Sequence, residues 1–281
     1  MFGTKGQDEL LRRPDGGQPQ SNAREQAMAV LEDAFREIAD PASYVARDAT
    51  EWVLRELESA IADARRPAAL VASPGMGKTI LLHVLAERLS TKLRVVFLPY
   101  GSLSIVDLCA WALGRIGEPW EGDPVRHLLE FARQLAESGS GLLLQVDDAD
   151  GLGVATAREL GALQADSGGA LRLVVASQDE VRSVGVLAAL GPDLRTVRFS
   201  QTMTLEETGD FVRQRIEQAN VPRVTQNRFD HACMEWIFSQ SGGVPRLAQR
   251  LGQSILVERP ADVTPSWHHD SDSLGAPLDE R

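Results

Sequence analysis

The most specific chemistry of the chain lies in a glycine-rich segment, Ala72-Ser73-Pro74-Gly75-Met76-Gly77-Lys78-Thr79. Proteins bind a phosphate chain with inward-facing backbone N–H groups, a helix N-terminus behind them and a lysine ammonium. Gly75 and Gly77 permit that backbone shape, and Lys78 is placed to contact β- and γ-phosphates. Thr79 offers a hydroxyl ligand to Mg²⁺. The segment therefore predicts a nucleotide site whose phosphate-binding residues are Pro74, Gly75, Met76, Gly77, Lys78, Thr79 and Ile80.

One residue departs from the general pattern G-x-x-x-x-G-K-[ST], because Ala72 stands at the first glycine position. Most of the amides that would face a nucleotide come later, from Gly75 onward, so we expect the phosphate cradle to survive. The alternative is an ordinary strand-to-helix turn with an exposed lysine and a threonine cap. The apolar segment before the loop and the helical pattern after it favour the nucleotide interpretation.

Two carboxylates, Asp147 and Asp148, directly follow the apolar segment Leu142–Val146. The carboxyl ends of parallel strands face the ligand crevice, where the glycine-rich loop would also lie. There Asp147 can hold Mg²⁺ and Asp148 can orient a water molecule, although an Asp reaches less far than a Glu. The alternative is an acidic turn, since Asp150 and Gly151 come next. The phosphate loop about seventy residues upstream favours the functional interpretation.

Further polar candidates lie beyond these two segments. Ser177 or Gln178, after the apolar segment 171–176, could sense a γ-phosphate or hold the attacking water, or could cap the strand structurally. Arg246 follows Gly242, Gly243 and a proline, which places it in the first turn of a late helix. Its guanidinium could bridge back to a nucleotide phosphate, or it could be a surface arginine in a helix connection.

Five short apolar segments alternate with longer amphipathic segments, and this pattern predicts an α/β fold with a five-stranded parallel sheet flanked by helices. The predicted strands are Ala68–Ala72, Arg94–Leu98, Leu142–Val146, Leu171–Ala176 and Thr196–Phe199. Helix starts are indicated at Asp48, at Ser102 and at Asp123, which precedes a proline. After residue 200 the capping box Thr204-x-x-Glu207 opens a purely helical region, which predicts a small all-α lid subdomain.

The predicted domain organisation has four parts. Residues 1–21 and 258–281 have the composition of disordered tails, the second of them acidic. Residues 22–200 form the nucleotide-binding α/β domain with N-terminal helices, the first indicated by the helical spacing of Met28, Leu31, Phe35 and Ile38. Residues 201–257 form the helical lid.

The composition of the chain narrows the possible partners, the cellular location and the roles of its cysteines and histidines. The 281 residues carry 29 Lys+Arg against 40 Asp+Glu, a net charge of −11, so any polyanion site must be local. The absence of an apolar run near ~20 residues and of a leader predicts a cytoplasmic protein with no membrane span. Cys109 and Cys233 lie in apolar stretches and are predicted to be reduced core residues. His268 and His269 lack a second ligand pair, which favours incidental tail residues over a metal site.

Together these motifs resemble the AAA+ ATPases of the ExeA/TniB/MuB-like group, P-loop NTPases related to the origin-recognition clade. The resemblance covers roughly residues 35–257. It is carried by Asp40-Pro41-Ala42-Ser43-Tyr44, Gly75-Met76-Gly77-Lys78-Thr79, Asp147-Asp148-Ala149-Asp150, Ser177-Gln178, Leu205-Glu206-Glu207-Thr208, Arg213-Gln214-Arg215 and Gly242-Gly243-Val244-Pro245-Arg246.

The resemblance implies that ATP binds in the cleft between the sheet domain and the lid. It implies that Arg246 is the lid arginine called sensor 2. In the mechanism expected from the residues, Lys78 neutralises phosphate charge, Thr79 and Asp147 hold Mg²⁺, and Asp148 positions water. Family members often assemble so that an arginine from a neighbouring subunit completes the site. Arg195 or Arg198 lies where such a finger usually sits, or is instead a surface arginine.

The principal hypothesis is a slow, Mg²⁺-dependent ATPase that acts as a nucleotide-controlled switch, oligomerises and regulates a protein or DNA-bound partner. One alternative is an ATP-gated scaffold with negligible turnover, motivated by Ala72 and the short Asp148. Another is an ATP-dependent regulator of DNA transactions. The acidic total gives no support for broad DNA contact, and a solvated helical face is favoured for the lid arginines Arg213, Arg215, Arg223, Arg228, Arg246 and Arg250.

Overall fold

The structure, a computed structural model, describes residues 40–178 and 180–257. The predicted tails 1–21 and 258–281, the helix predicted around residues 28–38, and the pair His268 and His269 lie outside the described residues.

A parallel five-stranded sheet forms the centre of the protein, as predicted. Its strands are β1 (Ala68–Ala72), β2 (Arg94–Leu98), β3 (Leu142–Val146), β4 (Leu171–Ser177) and β5 (Arg195–Phe199). Their order is β2-β3-β4-β1-β5, so β1 lies between β4 and β5 although it comes first in the chain. Every residue of β1 and β3 is buried, because helices cover both faces of the sheet. The carboxyl ends of β1, β3 and β4 therefore meet at one edge, which positions the site.

Helices precede the sheet and connect its strands. They are α1 (Asp48–Ala62), α2 (Lys78–Leu89), α3 (Ile105–Ile116), α4 (Pro124–Glu137), α5 (Val154–Asp166) and α6 (Glu180–Ala189). Asp123 caps α4 as predicted, with its side chain accepting from the Val125 N–H. The start predicted at Ser102 is wrong, since α3 is capped by Ser104, whose hydroxyl accepts from the Asp107 N–H. Cys109 and Cys233 are both buried and neither is in a disulfide within the described residues, and burial raises the pKa of the Cys109 thiol to about 12.

The lid consists of α7 (Leu205–Gln218), α8 (Arg223–Gln226), α9 (His231–Ser241) and α10 (Pro245–Val257). The predicted capping box is present, because the Thr204 side chain accepts from the Glu207 N–H and the Glu207 carboxylate accepts from the Thr204 N–H. The lid has a hydrophobic cluster of its own, which includes Val212, Ile216 and Ile237. It is thus packed as a separate unit beside the sheet.

Two contacts join the lid to the segment that leads into α1. The Arg47 guanidinium, buried at 9% exposure, lies 3.4 Å from Glu207 Oε2 and over the ring of Phe199 at 5.8 Å from its centroid. Gln218 Nε2 donates to the Ala42 carbonyl oxygen at 3.1 Å. Residues 40–47 therefore connect the end of β5 with α7. None of the helices within residues 40–178 and 180–257 has both the length and the apolar character required to cross a bilayer.

Candidate active site

The glycine-rich loop joins β1 to α2 and takes a backbone shape that glycine favours. Gly75 has φ +81° and Gly77, the N-cap of α2, has φ +94°, both in the left-handed region. The first turn of α2, where N–H groups have no partner within a helix, directly follows the loop. Ala72, where the general motif has glycine, ends β1 with its side chain in the hydrophobic core. The departure at Ala72 is accommodated because a strand residue needs no positive φ.

Lys78 reaches back across this loop. Its Nζ donates to the carbonyl oxygens of Ala72 at 2.8 Å and Ser73 at 3.3 Å, and the residue is only 8% exposed. Burial lowers the pKa of this ammonium, while the carboxylates of Asp147 and Asp150 act in the opposite direction. The loop therefore holds a largely desolvated cation, whose attraction for an anion is stronger than in water.

Thr79 and Asp147 are 68 residues apart in sequence and in direct contact in space. Thr79 Oγ1 donates to Asp147 Oδ2 at 2.7 Å. The contact forms because Thr79 lies in the first turn of α2, which follows β1, and Asp147 follows β3 at the same edge of the sheet. A hydroxyl and a carboxylate are hard oxygen donors, the kind that Mg²⁺ takes alongside phosphate oxygens. The donor set thus fits a magnesium ion.

Asp148 and Gln178 form a second polar pair at this edge. Gln178 Nε2 donates to Asp148 Oδ1 at 3.2 Å, and the Asp148 N–H donates to Asp147 Oδ1 at 3.0 Å. Asp148 itself has φ +49°, a left-handed conformation that non-glycine residues adopt at some energetic cost. Asp147 and Asp148 both line one cavity.

The cavity has a volume of about 390 Å³ and lies between the sheet edge and the lid. It is lined by nine of the residues predicted to form the site, Pro74, Gly75, Gly77, Lys78, Thr79, Ile80, Asp147, Asp148 and Arg246. Met76 is the exception within the loop, because its side chain is 3% exposed and belongs to the core cluster under β1. Of the two strand-end alternatives, Gln178 lines the cavity.

Ser177 and Arg195 do not reach the cavity wall. Ser177 is fully buried, and its Oγ contacts Asp150 Oδ1 at 2.8 Å and Ser183 Oγ at 2.6 Å. Arg195 pairs with the first residue of β1, at the edge of the sheet opposite the loop, and its Nη2 lies 2.7 Å from Glu56 Oε2. Arg198 lies further along β5 and is exposed. A finger role for Arg195 or Arg198 toward a neighbouring subunit stays a prediction.

Sequence reasoning missed five cavity residues, Ser43, Phe211, Arg215, Pro245 and Gln249. The expectation of a solvated face is wrong for Arg215, which is 6% exposed and lines the cavity from α7. A signal was available, because Arg215 shares a helical face with Val212 and Ile216, both buried. Ser43 and Gln249 carried no comparable signal, since their placement depends on how residues 40–47 and the lid pack beside the loop.

The lid contacts the glycine-rich loop directly through Arg246. Its backbone N–H donates to the Gly75 carbonyl oxygen at 3.2 Å. A Cβ built on Gly75 would lie 3.0 Å from Arg246 Cβ and 3.1 Å from Val244 Cγ1, so the approach is close. Glycine at position 75 therefore serves both the loop conformation and the seating of α10.

Comparison with known proteins shows which family the central part of the chain resembles. Residues 61–184, which contain the loop, β3 and β4, match the family model of an AAA domain. No curated protein matches the chain. The family match shows that the central part of the chain is similar to an AAA domain. Membership of the ExeA/TniB/MuB-like group stays a prediction.

Several solved structures share the fold. Cdc6p from Pyrobaculum aerophilum is 19% identical with a TM-score of 0.51, and the alignment covers 79% of this chain and 66% of that one. The Aeropyrum pernix ORC1 protein in complex with DNA is 15% identical with a TM-score of 0.58, covering 86% and 68%. The Aeropyrum pernix ORC2 protein in its ADPNP-ADP complexes is 12% identical with a TM-score of 0.52, covering 86% and 74%. This chain thus spans about two thirds to three quarters of the length of these structures.

Proposed function

We propose that this protein binds ATP with Mg²⁺ in the cavity, hydrolyses it slowly, and uses the nucleotide state to control its assembly and a partner. The observation that carries the proposal is the 2.7 Å contact between Thr79 Oγ1 and Asp147 Oδ2 beside the buried ammonium of Lys78. An ordinary glycine-rich turn does not require a buried lysine, a hydroxyl and a carboxylate from another strand to lie together.

Different residues of the proposed site would bind the phosphates, the metal ion and the attacking water. The amides from Gly75 onward and the Lys78 ammonium would bind the β- and γ-phosphate oxygens, replacing the carbonyl groups that Lys78 now contacts. Thr79 and Asp147 would hold Mg²⁺, which supplies charge neutralisation on the phosphates. Asp148, oriented by the Gln178 amide, would hold the attacking water and accept its proton. The wall made by Ser43, Phe211 and Gln249 leaves room for the base and ribose.

Calorimetric titration of Mg²⁺-ATP tests the binding step. We expect Lys78→Ala to weaken ATP binding by at least about tenfold, because a desolvated charge-assisted contact of this kind exceeds ~1.4 kcal/mol. Lys92→Ala is the matched control, since Lys92 is an exposed lysine that does not line the cavity. Equal ATP affinity for wild type and Lys78→Ala would contradict the proposed site.

Phosphate release separates an ATPase from a scaffold that only binds ATP. We expect Asp148→Asn to retain ATP affinity and to lower turnover by about a hundredfold, the scale of a general base. Turnover near background in both proteins, with ATP binding intact, would favour the ATP-gated scaffold.

The proposed switch rests on the contact between α10 and the loop. Because the Arg246 N–H bonds to Gly75 and its side chain lines the cavity, a bound γ-phosphate would act on the position of the lid. Light scattering with and without ATP tests whether particle mass depends on nucleotide, as expected for a homo-oligomer. Unchanged mass at saturating ATP would exclude assembly control.

A DNA-bound partner is a second candidate. The solved ORC1 neighbour is a complex with DNA, and the lid of this chain exposes Arg213, Arg223 and Arg250. Fluorescence anisotropy with duplex DNA tests it, because phosphate contacts weaken steeply with salt. Binding that needs ATP and falls with salt supports a DNA-transaction regulator, whereas no binding at low salt removes it and leaves a protein partner.

A further inference from the structure

Asp150 lies two residues beyond the proposed water-holding Asp148 and does not line the cavity. Its carboxylate nevertheless accepts from three donors of the described chain. The Gln178 N–H donates to Oδ2 at 2.7 Å, Ser177 Oγ lies 2.8 Å from Oδ1, and Ser183 Oγ also contacts Oδ1. One carboxylate therefore joins the turn after β3, the end of β4 and helix α6.

The environment of this carboxylate favours its charged form. Burial raises the pKa of Asp150, but the hydrogen bonds from Ser183, the Gln178 amide and Ser177 outweigh it, and the net pKa is lowered. Ser177 and Ser183 are fully buried, and their hydroxyl oxygens are 2.6 Å apart. The cluster is thus a polar junction in which two buried serines hold a partly buried Asp150, while Gln178 is exposed.

Of the three residues that donate to Asp150, Gln178 lines the cavity and the two serines do not. The backbone of Gln178 is held by Asp150, and its side chain donates to Asp148 Oδ1 at 3.2 Å. The left-handed turn at Asp148 sends its own carboxylate to the cavity and leaves Asp150 facing β4. A displacement of Asp150 would therefore move the amide that orients Asp148.

We propose that Asp150 is a positioning residue for hydrolysis, which fixes Gln178 and, through it, the carboxylate of Asp148. The inference rests on the proposed ATPase function. Because Asp150 stands away from the wall that would meet phosphate or base, its loss should leave nucleotide affinity nearly intact and act on the rate of the chemical step. Ser177 and Ser183 also hold the Asp150 carboxylate, so the position of the Gln178 amide does not depend only on the turn after β3.

The test compares Asp150→Ala with Asp150→Asn, by phosphate release and by calorimetric ATP titration. We expect Asp150→Ala to lower kcat by about tenfold or more while the Kd for Mg²⁺-ATP changes less than about twofold. Asp150→Asn should restore kcat to within about threefold of wild type, because its carbonyl can accept the Gln178 N–H and its NH₂ can donate to the serine oxygens. A purely structural role would lower the melting temperature without this split between kcat and Kd.

A double-mutant cycle with Gln178→Ala tests the route of action. If Asp150 acts through Gln178, then Asp150→Ala has no further effect on kcat in the Gln178→Ala background. Additive losses would overturn the inference, as would a kcat within twofold of wild type for Asp150→Ala. Asp150→Ser, which is too short to reach the three donors, replaces Asp150→Ala with the same expectations if the alanine variant does not fold.

The outcome for wild type separates the two proposals. Wild-type turnover that requires Asp148 but is indifferent to Asp150 overturns only the positioning role. ATP binding without turnover in wild type overturns the proposed hydrolysis and the positioning role together.

Discussion

Substitution of Gly243 by alanine tests how the lid is seated. Gly243 and its neighbour Gly242 both have left-handed backbones, at φ +73° and +57°. A Cβ on Gly243 would lie 2.0 Å from the Met203 carbonyl oxygen, whereas a Cβ on Gly242 meets no described atom within 4 Å. The two adjacent glycines therefore carry the same backbone strain, and only one of them carries a clash.

The cost of each substitution follows from that difference. Left-handed backbone in a residue with a Cβ costs about 1–2 kcal/mol, which is the whole expected effect of Gly242→Ala. Gly243→Ala must also move the Met203 backbone by about 1 Å to restore a 3.0 Å contact, since overlap at 2.0 Å is not tolerated. Overpacking adds about 1–3 kcal/mol. The Met203 N–H bond to the Gly243 oxygen, 2.8 Å long, is worth about 0.5–1.5 kcal/mol when lost.

We therefore expect Gly243→Ala to lower the free energy of unfolding by about 3–6 kcal/mol, against about 1–2 kcal/mol for Gly242→Ala. Urea unfolding followed by circular dichroism measures both. Because Gly243 lies three residues before Arg246, ATP affinity should also fall about tenfold in Gly243→Ala, the loss of ~1.4 kcal/mol. Indistinguishable stability and ATP affinity in the two variants would refute this account of the lid junction.

Three further predictions concern other contacts. In wild type, calorimetry should show tighter ATP binding with Mg²⁺ than with EDTA, and Thr79→Val should remove most of this difference because Asp147 alone cannot complete the metal site. If Thr79→Val retains the difference, the ion binds elsewhere. Arg47→Ala should lower the free energy of unfolding in urea by about 1–3 kcal/mol, since Glu207 loses a largely buried partner, and Arg47→Met should cost less because the stem is kept. Burial raises the pKa of Tyr44 from 10.0 to about 12, so the neutral phenol stabilises the folded protein fully below pH 10, and this stabilisation is lost as pH rises through 12. Tyr44→Phe should therefore reduce the fall in the free energy of unfolding between pH 10 and pH 12. The same fall in the variant as in wild type would contradict the assignment.

The sheet was predictable from sequence because its signals are local. Segments such as Leu142–Val146 are short, apolar and bounded by polar residues, and burial on both faces of a parallel strand requires that composition. The loop and Asp147 were predictable for a related reason, since residues after parallel strands converge on one edge. The order of the strands in space was not predicted, because it depends on how the crossovers pack.

The remaining features depend on tertiary partners that no local pattern specifies. Ser177 and Gln178 are adjacent polar residues at a strand end, and sequence could not choose between them; the structure turns Ser177 into the core because Asp150 and Ser183 bond it there. The helix start predicted at Asp48 is confirmed, since α1 begins there, and its N-cap is Arg47, whose N–H donates to Thr50 Oγ1. The burial of Ser177 and the identity of this N-cap both depend on contacts with other side chains.

The bond between the Arg246 N–H and the Gly75 oxygen joins two main-chain groups, and this has a consequence for how position 246 can vary. Any residue except proline can supply the same N–H, so exchange of the guanidinium for another side chain alters what reaches the phosphates and leaves the resting position of α10 unchanged. The seating of α10 and the proposed contact with phosphate therefore depend on different atoms of this residue, and a substitution can change the second while preserving the first.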